Sequence, residues 1–300
     1  MPPHHQQQPF RWQTVLELSL ISPVIYLILG APGFPTALLP TFTSTSTSPD
    51  NTENESPIPV ARTSLDTLVS PSPDLVCPPH NYTVHIFATS PLVIYIDNFV
   101  SDSEAAHLTE LSQNSWQAST IFTSTTESTN PSVRKSDKAL LPRDPTVQCL
   151  EARALGFQGW PRETFIEQLW TQRYNVSGHY AHHYDWATSS KSARRVSSFM
   201  VYLGDECEGG GTNFPRLDVP AGGGGWCEFI ECGDAGGGSN GVLTEGVTFK
   251  PRKGAAVFWM NFDESGRGYR ETIHAGLPVT KGVKVGLNIW SWFQAGHVID

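Results

Sequence analysis

Three observations predict an α+β chain with a closed or sandwich-like β-unit in its C-terminal half. Helix-like spacing is confined to the early part of the ordered sequence. Strand-like runs dominate after Gln172. Thirteen of the 26 glycines fall between Gly204 and Gly241, marking a loop-rich stretch among those strands.

The elements follow in chain order. Residues 1–13 are a short tail, and residues 14–31 hold an apolar run, Val15 to Gly30 (VLELSLISPVIYLILG), interrupted by Glu17 and Pro23. A run of about 16 residues lies near the lower limit for crossing a bilayer core of ~30 Å. Arg11 precedes it and the next basic residue is Arg62, which favours an N-inside orientation. An uncleaved signal-anchor is the expectation and a cleaved signal peptide the competing one. Either puts the remainder in the lumen of the endoplasmic reticulum or secretory pathway, in the anchored case as a single-pass type II membrane protein.

Residues 32–83 are dominated by Ser, Thr and Pro, as in Thr41-Phe42-Thr43-Ser44-Thr45-Ser46-Thr47-Ser48-Pro49. Such a stretch buries too little apolar surface to offset its ordering entropy, so a disordered stem is expected. Sequons at Asn54, Asn81 and Asn175 permit glycosylation, although Asn175 is close to the chemistry described below. The five cysteines are Cys77, Cys149, Cys207, Cys227 and Cys232, an odd number that leaves at least one unpaired or intermolecular in an oxidising compartment. Cys227 is placed to pair with Cys232, and a pairing of either with Cys207 competes. No C-x-x-C spacing supports a cysteine zinc site.

A catalytic domain is expected over residues 84–300. Pro91 to Ile96 reads as a strand, and Asp102 is a helix cap ahead of Ala105, Leu108 and Leu111. The Ser/Thr-rich stretch 119–132 reads as a loop. Arg162 to Trp170 reads as a second helix with Phe165 and Leu169 on one face. Beyond Gln172 come three strand-like runs: Ser197 to Leu203, Ala255 to Trp259, and Lys284 to Phe293. Gly222 to Gly225 and Gly236 to Gly238 resemble flexible insertions. No phosphate-binding glycine motif is present. A net charge of -9 argues against nucleic acid as a partner.

Chemistry concentrates in His183-Tyr184-Asp185, with His274 and Lys284 downstream. Residues two apart on a strand share a face, so His183 and Asp185 project together while His182 points away. Two imidazoles and one carboxylate make the facial triad that holds non-haem Fe(II) and leaves positions for other ligands. His274 lies among small residues, which leaves room around its ring. Lys284, between Val283 and Val285, needs a buried anion or a snorkelling path, and a bound carboxylate would satisfy it.

The blocks around these residues resemble the catalytic domain of prolyl 4-hydroxylases, within the Fe(II)- and 2-oxoglutarate-dependent dioxygenases. They are Arg173-Tyr174, Gly178-His179-Tyr180 and His183-Tyr184-Asp185; then Arg195, Tyr202-Leu203 and Gly209-Gly210-Gly211-Thr212-Asn213-Phe214-Pro215; and finally Pro251 to Phe258, His274 to Val279, Lys284 and Trp290. The likeness runs from roughly residue 90 to 295. It implies a double-stranded β-helix, or jelly roll, with supporting N-terminal helices. It implies Fe(II) held by His183, Asp185 and His274, and 2-oxoglutarate held by Lys284 and Tyr174, with O2 and ascorbate as further requirements. Arg134, Ser136 and Trp290 match positions near a peptide substrate. No catalytic residue beyond these ligands is implied.

The implied reaction is 4-hydroxylation of peptidyl proline, coupled to decarboxylation of 2-oxoglutarate to succinate and CO2. The partners are a Pro-containing peptide or protein and, through the anchor, a membrane. Departures are Gly211 in place of a usual Glu, Val285 in place of an aromatic residue, and the long Gly-rich insertion at 221–241. They bear on the acceptor, so lysine, a free amino acid or a small metabolite is the alternative substrate. A catalytically silent module that binds Pro-rich chains is a third reading. A cupin-type isomerase or zinc hydrolase leaves Lys284 unexplained.

Overall fold

Strands such as Ser197 to Leu203 are apolar on both faces because the sheet they enter is covered on both sides. A computed structural model describes residues 65–123, 126–186, 190–221, 223–232 and 245–299. These belong to one unit spanning Pro57–Asp300. The Val15–Gly30 run, the Asn54 sequon and Gly236 to Gly238 lie outside the described residues. Among the described residues no helix is long and apolar enough to cross a membrane.

The first elements are β1 (Leu68–Val69), β2 (Thr83–Thr89), β3 (Leu92–Asp97) and α1 (Asp102–Ser112). Then come β4 (Gln117–Ala118), β5 (Ile121–Thr123), β6 (Thr126–Ser128), β7 (Arg134–Lys135), β8 (Asp137–Leu140) and α2 (Pro145–Phe157). The remainder is β-rich: β9 (Thr164–Glu167), β10 (Trp170–Tyr174), β11 (His179–His183), β12 (Ala193–Tyr202), β13 (Cys207–Gly209) and β14 (Thr212–Phe214). It ends with β15 (Val247–Phe249), β16 (Ala256–Met260), β17 (His274–Gly276), β18 (Val279–Gly282) and β19 (Lys284–Gln294).

The pairings are antiparallel and build a sandwich. A ten-stranded sheet runs β2-β3-β16-β12-β19-β10-β8-β4, with β9 joining β19 to β1. A five-stranded sheet runs β15-β14-β17-β11-β7. Alternation along the central strands divides the core in two. Ile94, Phe199, Val201, Phe258, Leu287 and Ile289 pack with Leu108 of α1 and Leu150 and Ala154 of α2. Their neighbours Tyr95, Met200, Tyr202, Val257 and Trp259 pack instead with Phe214, Val247 and Phe249 of the smaller sheet. A strand buried on both faces loses its polar alternation, so it reads as a plain apolar run.

Several expectations need correction. The first helix is capped by Ser101 rather than Asp102: the Ser101 hydroxyl accepts from the Glu104 amide at 3.2 Å, while Glu104 accepts from the Ser101 amide at 2.8 Å. This reciprocal capping box satisfies two otherwise unpaired donors. The 119–132 stretch is not all loop, since β5 and β6 pair as a ribbon with Ile121 opposite Ser128. Arg162 to Trp170 is not helical. Trp160 and Glu163 have positive φ (54° and 52°), which halts a helix before it starts, and Phe165 pairs with Trp292 across β9 and β19. The second helix is α2, capped by Asp144 with Pro145 at its first turn, a signal lying about twenty residues earlier in the chain.

Order also begins ahead of Val84. Leu68 and Val69 are buried and paired with β9, and Cys77 is disulfide-bonded to Cys149 on α2. A bridge across 72 residues removes chain entropy from the unfolded state on the order of 4 kcal/mol. The stretch just past Gly222 is a 3-10 turn, Gly223–Glu228, rather than a loose insertion, and Cys227 there bonds to Cys232. Cys207 is left free, and burial pushes its thiol pKa up.

Candidate metal centre

The smaller sheet brings the three candidate ligands together. His183 ends β11 and His274 begins β17, and the two residues sit directly opposite each other in the antiparallel register. A register shift between Tyr180 and His183 follows from a bulge, which re-aims the strand end. Asp185 lies in the turn two residues beyond His183 rather than on the strand itself. The three ligand atoms nevertheless lie within 4.8 Å of one another, and His183 Nε2 is 3.7 Å from Asp185 Oδ1. His182 turns to the other side and contacts Asn213 Oδ1 at 2.9 Å.

The donor set fits a metal ion. His183 Nδ1 lies 2.9 Å from the Ala181 carbonyl and His274 Nδ1 lies 3.0 Å from the Thr272 carbonyl. Each contact assigns the proton to Nδ1, because a carbonyl only accepts, and so leaves an Nε2 lone pair for the metal. Burial, reinforced by the charge of His274, pushes the His183 pKa down to about 3, so its ring is neutral at ordinary pH. Burial by itself works to raise the Asp185 carboxyl. His274, Arg195 and His183, with the Ser198 hydroxyl, outweigh it and hold Asp185 at about 2. Both groups are therefore in the form that binds a cation.

The larger sheet supplies the other wall. Lys284 begins β19 and pairs across the ladder with Tyr174, the last residue of β10. Lys284 is only 2% exposed, and among the described residues it has no carboxylate partner. Its ammonium sits 5.4 Å from the ring centres of both Tyr174 and Tyr202. Burial pushes its pKa down to about 8. Gly210, at φ +70°, keeps the approach open, since a Cβ there would press on Lys284 Cδ at 3.3 Å.

His183, Asp185, His274, Lys284 and Tyr174 line one cleft. Arg134 and Ser136 stand beside it. Arg134 covers the Tyr180 ring at 4.5 Å and hydrogen-bonds Ser136 at 3.1 Å, and Tyr180 in turn stacks on His183 at 3.7 Å. Trp290 donates its indole N–H to Asp185 Oδ2 at 3.0 Å. Sequence reasoning missed Gln172, Tyr180, Thr212, Trp259 and Asn288 as lining residues. Gln172 and Asn288 were within reach of period-two counting, because they share a face with Tyr174 and Lys284 on the same strands. The Tyr174 hydroxyl donates to Gln172 Oε1 at 2.8 Å.

Comparison with known proteins agrees with this geometry. Residues 169–292 match the 2OG-Fe(II) oxygenase superfamily, so the segment that carries the site is a 2OG-Fe(II) oxygenase domain, an enzyme domain whose cofactors are Fe(II) and 2-oxoglutarate. Within that class the chain is similar to prolyl 4-hydroxylases. It is 30% identical over 228 residues to human prolyl 4-hydroxylase subunit alpha-3, covering 72% of this chain and 36% of that protein. It is 28% identical over 219 residues to prolyl 4-hydroxylase 1 of Arabidopsis thaliana, covering 70% of this chain and 72% of that protein. This chain thus spans about a third of the length of the human relative. Among solved structures, the 2OG complex of the viral collagen prolyl hydroxylase of Paramecium bursaria Chlorella virus-1 aligns with a TM-score of 0.47 at 23% identity, over 67% of this chain and 95% of that one.

Proposed function

We propose that this chain hydroxylates peptidyl proline at the 4-position, coupled to conversion of 2-oxoglutarate to succinate and CO2. The observation that carries the reading is the convergence of the His183–Asp185–His274 cluster, in one cleft, with a buried Lys284 that has no carboxylate partner among the described residues. Fe(II), when bound with 2-oxoglutarate and O2, supplies the oxidising power for an unactivated C–H bond. His183, Asp185 and His274 hold the metal. Lys284 pairs with the far carboxylate of 2-oxoglutarate, beside the Tyr174 hydroxyl. Ascorbate would be a further reductant requirement of iron held there. The two-sheet arrangement supports the double-stranded β-helix reading of the domain. Two disulfides, together with the sequons, support a secretory compartment, reached through an N-terminal membrane anchor.

Mass spectrometry of Pro-rich peptides incubated with the protein, Fe(II), 2-oxoglutarate and ascorbate tests the acceptor. A gain of one oxygen on proline is expected. Oxygen on lysine, on a free amino acid or on a small metabolite instead moves the assignment to a related oxygenase. A failure to bind Fe(II) anaerobically leaves a silent binding module.

Lys284 makes co-substrate binding pH-dependent. Its pKa of about 8 in the free protein is below the usual lysine value, so the ammonium that pairs with a carboxylate is already formed below pH 8. Binding raises that pKa by adding an anion. Affinity for 2-oxoglutarate is therefore expected to be flat below pH 8 and to fall by about tenfold per pH unit above it. Calorimetric titration across that range, in buffers of different ionisation enthalpy, reads both the slope and the proton uptake. An affinity independent of pH up to 10 removes Lys284 from the carboxylate.

A further inference from the structure

We infer that Trp290 and Ser198 form a positioning pair that fixes which oxygen of Asp185 is offered to the metal. Trp290 on β19 and Ser198 on β12 are cross-strand partners, so their side chains leave the sheet side by side on the same face. Both donate to one atom. The Ser198 hydroxyl reaches Asp185 Oδ2 at 2.7 Å and the Trp290 indole N–H reaches the same oxygen at 3.0 Å. The other oxygen, Oδ1, accepts no side-chain hydrogen bond of this kind among the described residues; it faces His183 Nε2 at 3.7 Å and the Arg195 guanidinium at 3.7 Å. Two short hydrogen bonds from buried or half-buried donors hold the carboxylate against rotation, which matters because Asp185 sits in a turn and not on a strand.

The donors are themselves held. The Ser198 hydroxyl accepts from Asn261 Nδ2 at 3.1 Å, which leaves its own proton for Asp185. Ser198 and Asn261 are both fully buried. The Trp290 ring lies under the Arg195 guanidinium at 3.9 Å. Arg195 is clamped by Glu167 through two charge-assisted bonds of 2.7 and 2.8 Å. Its remaining nitrogen lies 3.4 Å from the Asp185 carbonyl. Glu167 on β9, Arg195 on β12 and Trp290 on β19 thus brace the Asp185 turn from three strands. The indole is thus fixed edge-on to the carboxylate and covered on one face by the guanidinium.

The inference rests on His183, Asp185 and His274 being metal ligands. The test uses the full chain, freed of metal, titrated with Mn(II) as a redox-stable probe. Trp290→Phe keeps the ring beneath Arg195 and removes only the N–H; Ser198→Ala removes the second donor. Each variant is expected to bind Mn(II) about 10- to 100-fold more weakly, the usual effect of losing an outer partner of a metal ligand. Melting temperatures are expected to stay near that of the parent, and the KM for a Pro-rich peptide within about twofold. Unchanged Mn(II) affinity in both variants overturns the proposal. So does a tenfold rise in peptide KM with Trp290→Phe at unchanged metal affinity, which assigns the indole to the substrate. A parent protein that binds no Mn(II) or Fe(II) sinks the ligand assignment itself, and this proposal with it.

Discussion

Replacing His183 with alanine is expected to lower 2-oxoglutarate turnover by more than about 100-fold, beyond what loss of an outer partner costs. Among the described residues the ring is one of three candidate ligand side chains clustered here, and it faces His274 across the ladder. His182 is next in sequence, but its ring is engaged with Asn213 on the opposite side. Succinate release measured with and without added Fe(II) is the readout. Continued iron-dependent succinate release by the variant removes His183 from the metal site.

Lys284→Met is expected to move stability and binding in opposite directions. The folded protein holds Lys284 at a pKa of about 8 against about 10.5 in an unfolded chain, so at neutral pH folding disfavours its protonated form. By linkage this destabilisation is fully present below pH 8 and fades as pH rises toward 10.5. A methionine of similar shape relieves it, stabilising the ligand-free protein by up to about 3 kcal/mol. Among the described residues, the same change removes the only cation that lines the cleft. Affinity for 2-oxoglutarate is expected to fall by at least about 30-fold, the lower range for truncating one partner of a buried charged pair. Thermal melting of the metal-free protein and a 2-oxoglutarate titration decide both halves. A variant that melts lower and binds 2-oxoglutarate as before places the co-substrate elsewhere.

The gain in stability and the loss of binding share one cause. A buried ammonium without a carboxylate among the described residues is a cost that only a ligand offsets. This is why Lys284 was legible from its flanking valines, before any geometry was known.

Other features were not legible, for reasons that are local in one case and global in another. Phe165 and Leu169 have helical spacing, yet Thr164–Glu167 is a strand because the edge of β19 takes a partner there and positive φ angles interrupt the backbone just before. Pattern alone does not separate an i, i+4 pair on a helix from one residue on a short strand and another in the connection to the next. The α2 helix carried its cap at Asp144 and Pro145, a signal present in the sequence and passed over. The cysteine pairing was open because sequence spacing does not report the distance between strands and helices. Cys77 follows β1, which pairs with β9, and it meets Cys149 on α2 across a sequence separation of 72.

What the sequence by itself determined is the chemistry of the site. The HxD spacing, the distant His274 and a lysine stranded among valines name a metal-binding triad and an anion anchor, because residue type and side-chain period are local properties. What only the tertiary structure decided is how those groups are held. Register across β12 and β19 sets Ser198 beside Trp290, and a turn after β11 hands them Asp185, so an aromatic residue that reads as a substrate contact also donates to a candidate ligand. Cross-strand register depends on pairing between segments some ninety residues apart, and no local pattern in the chain encodes it.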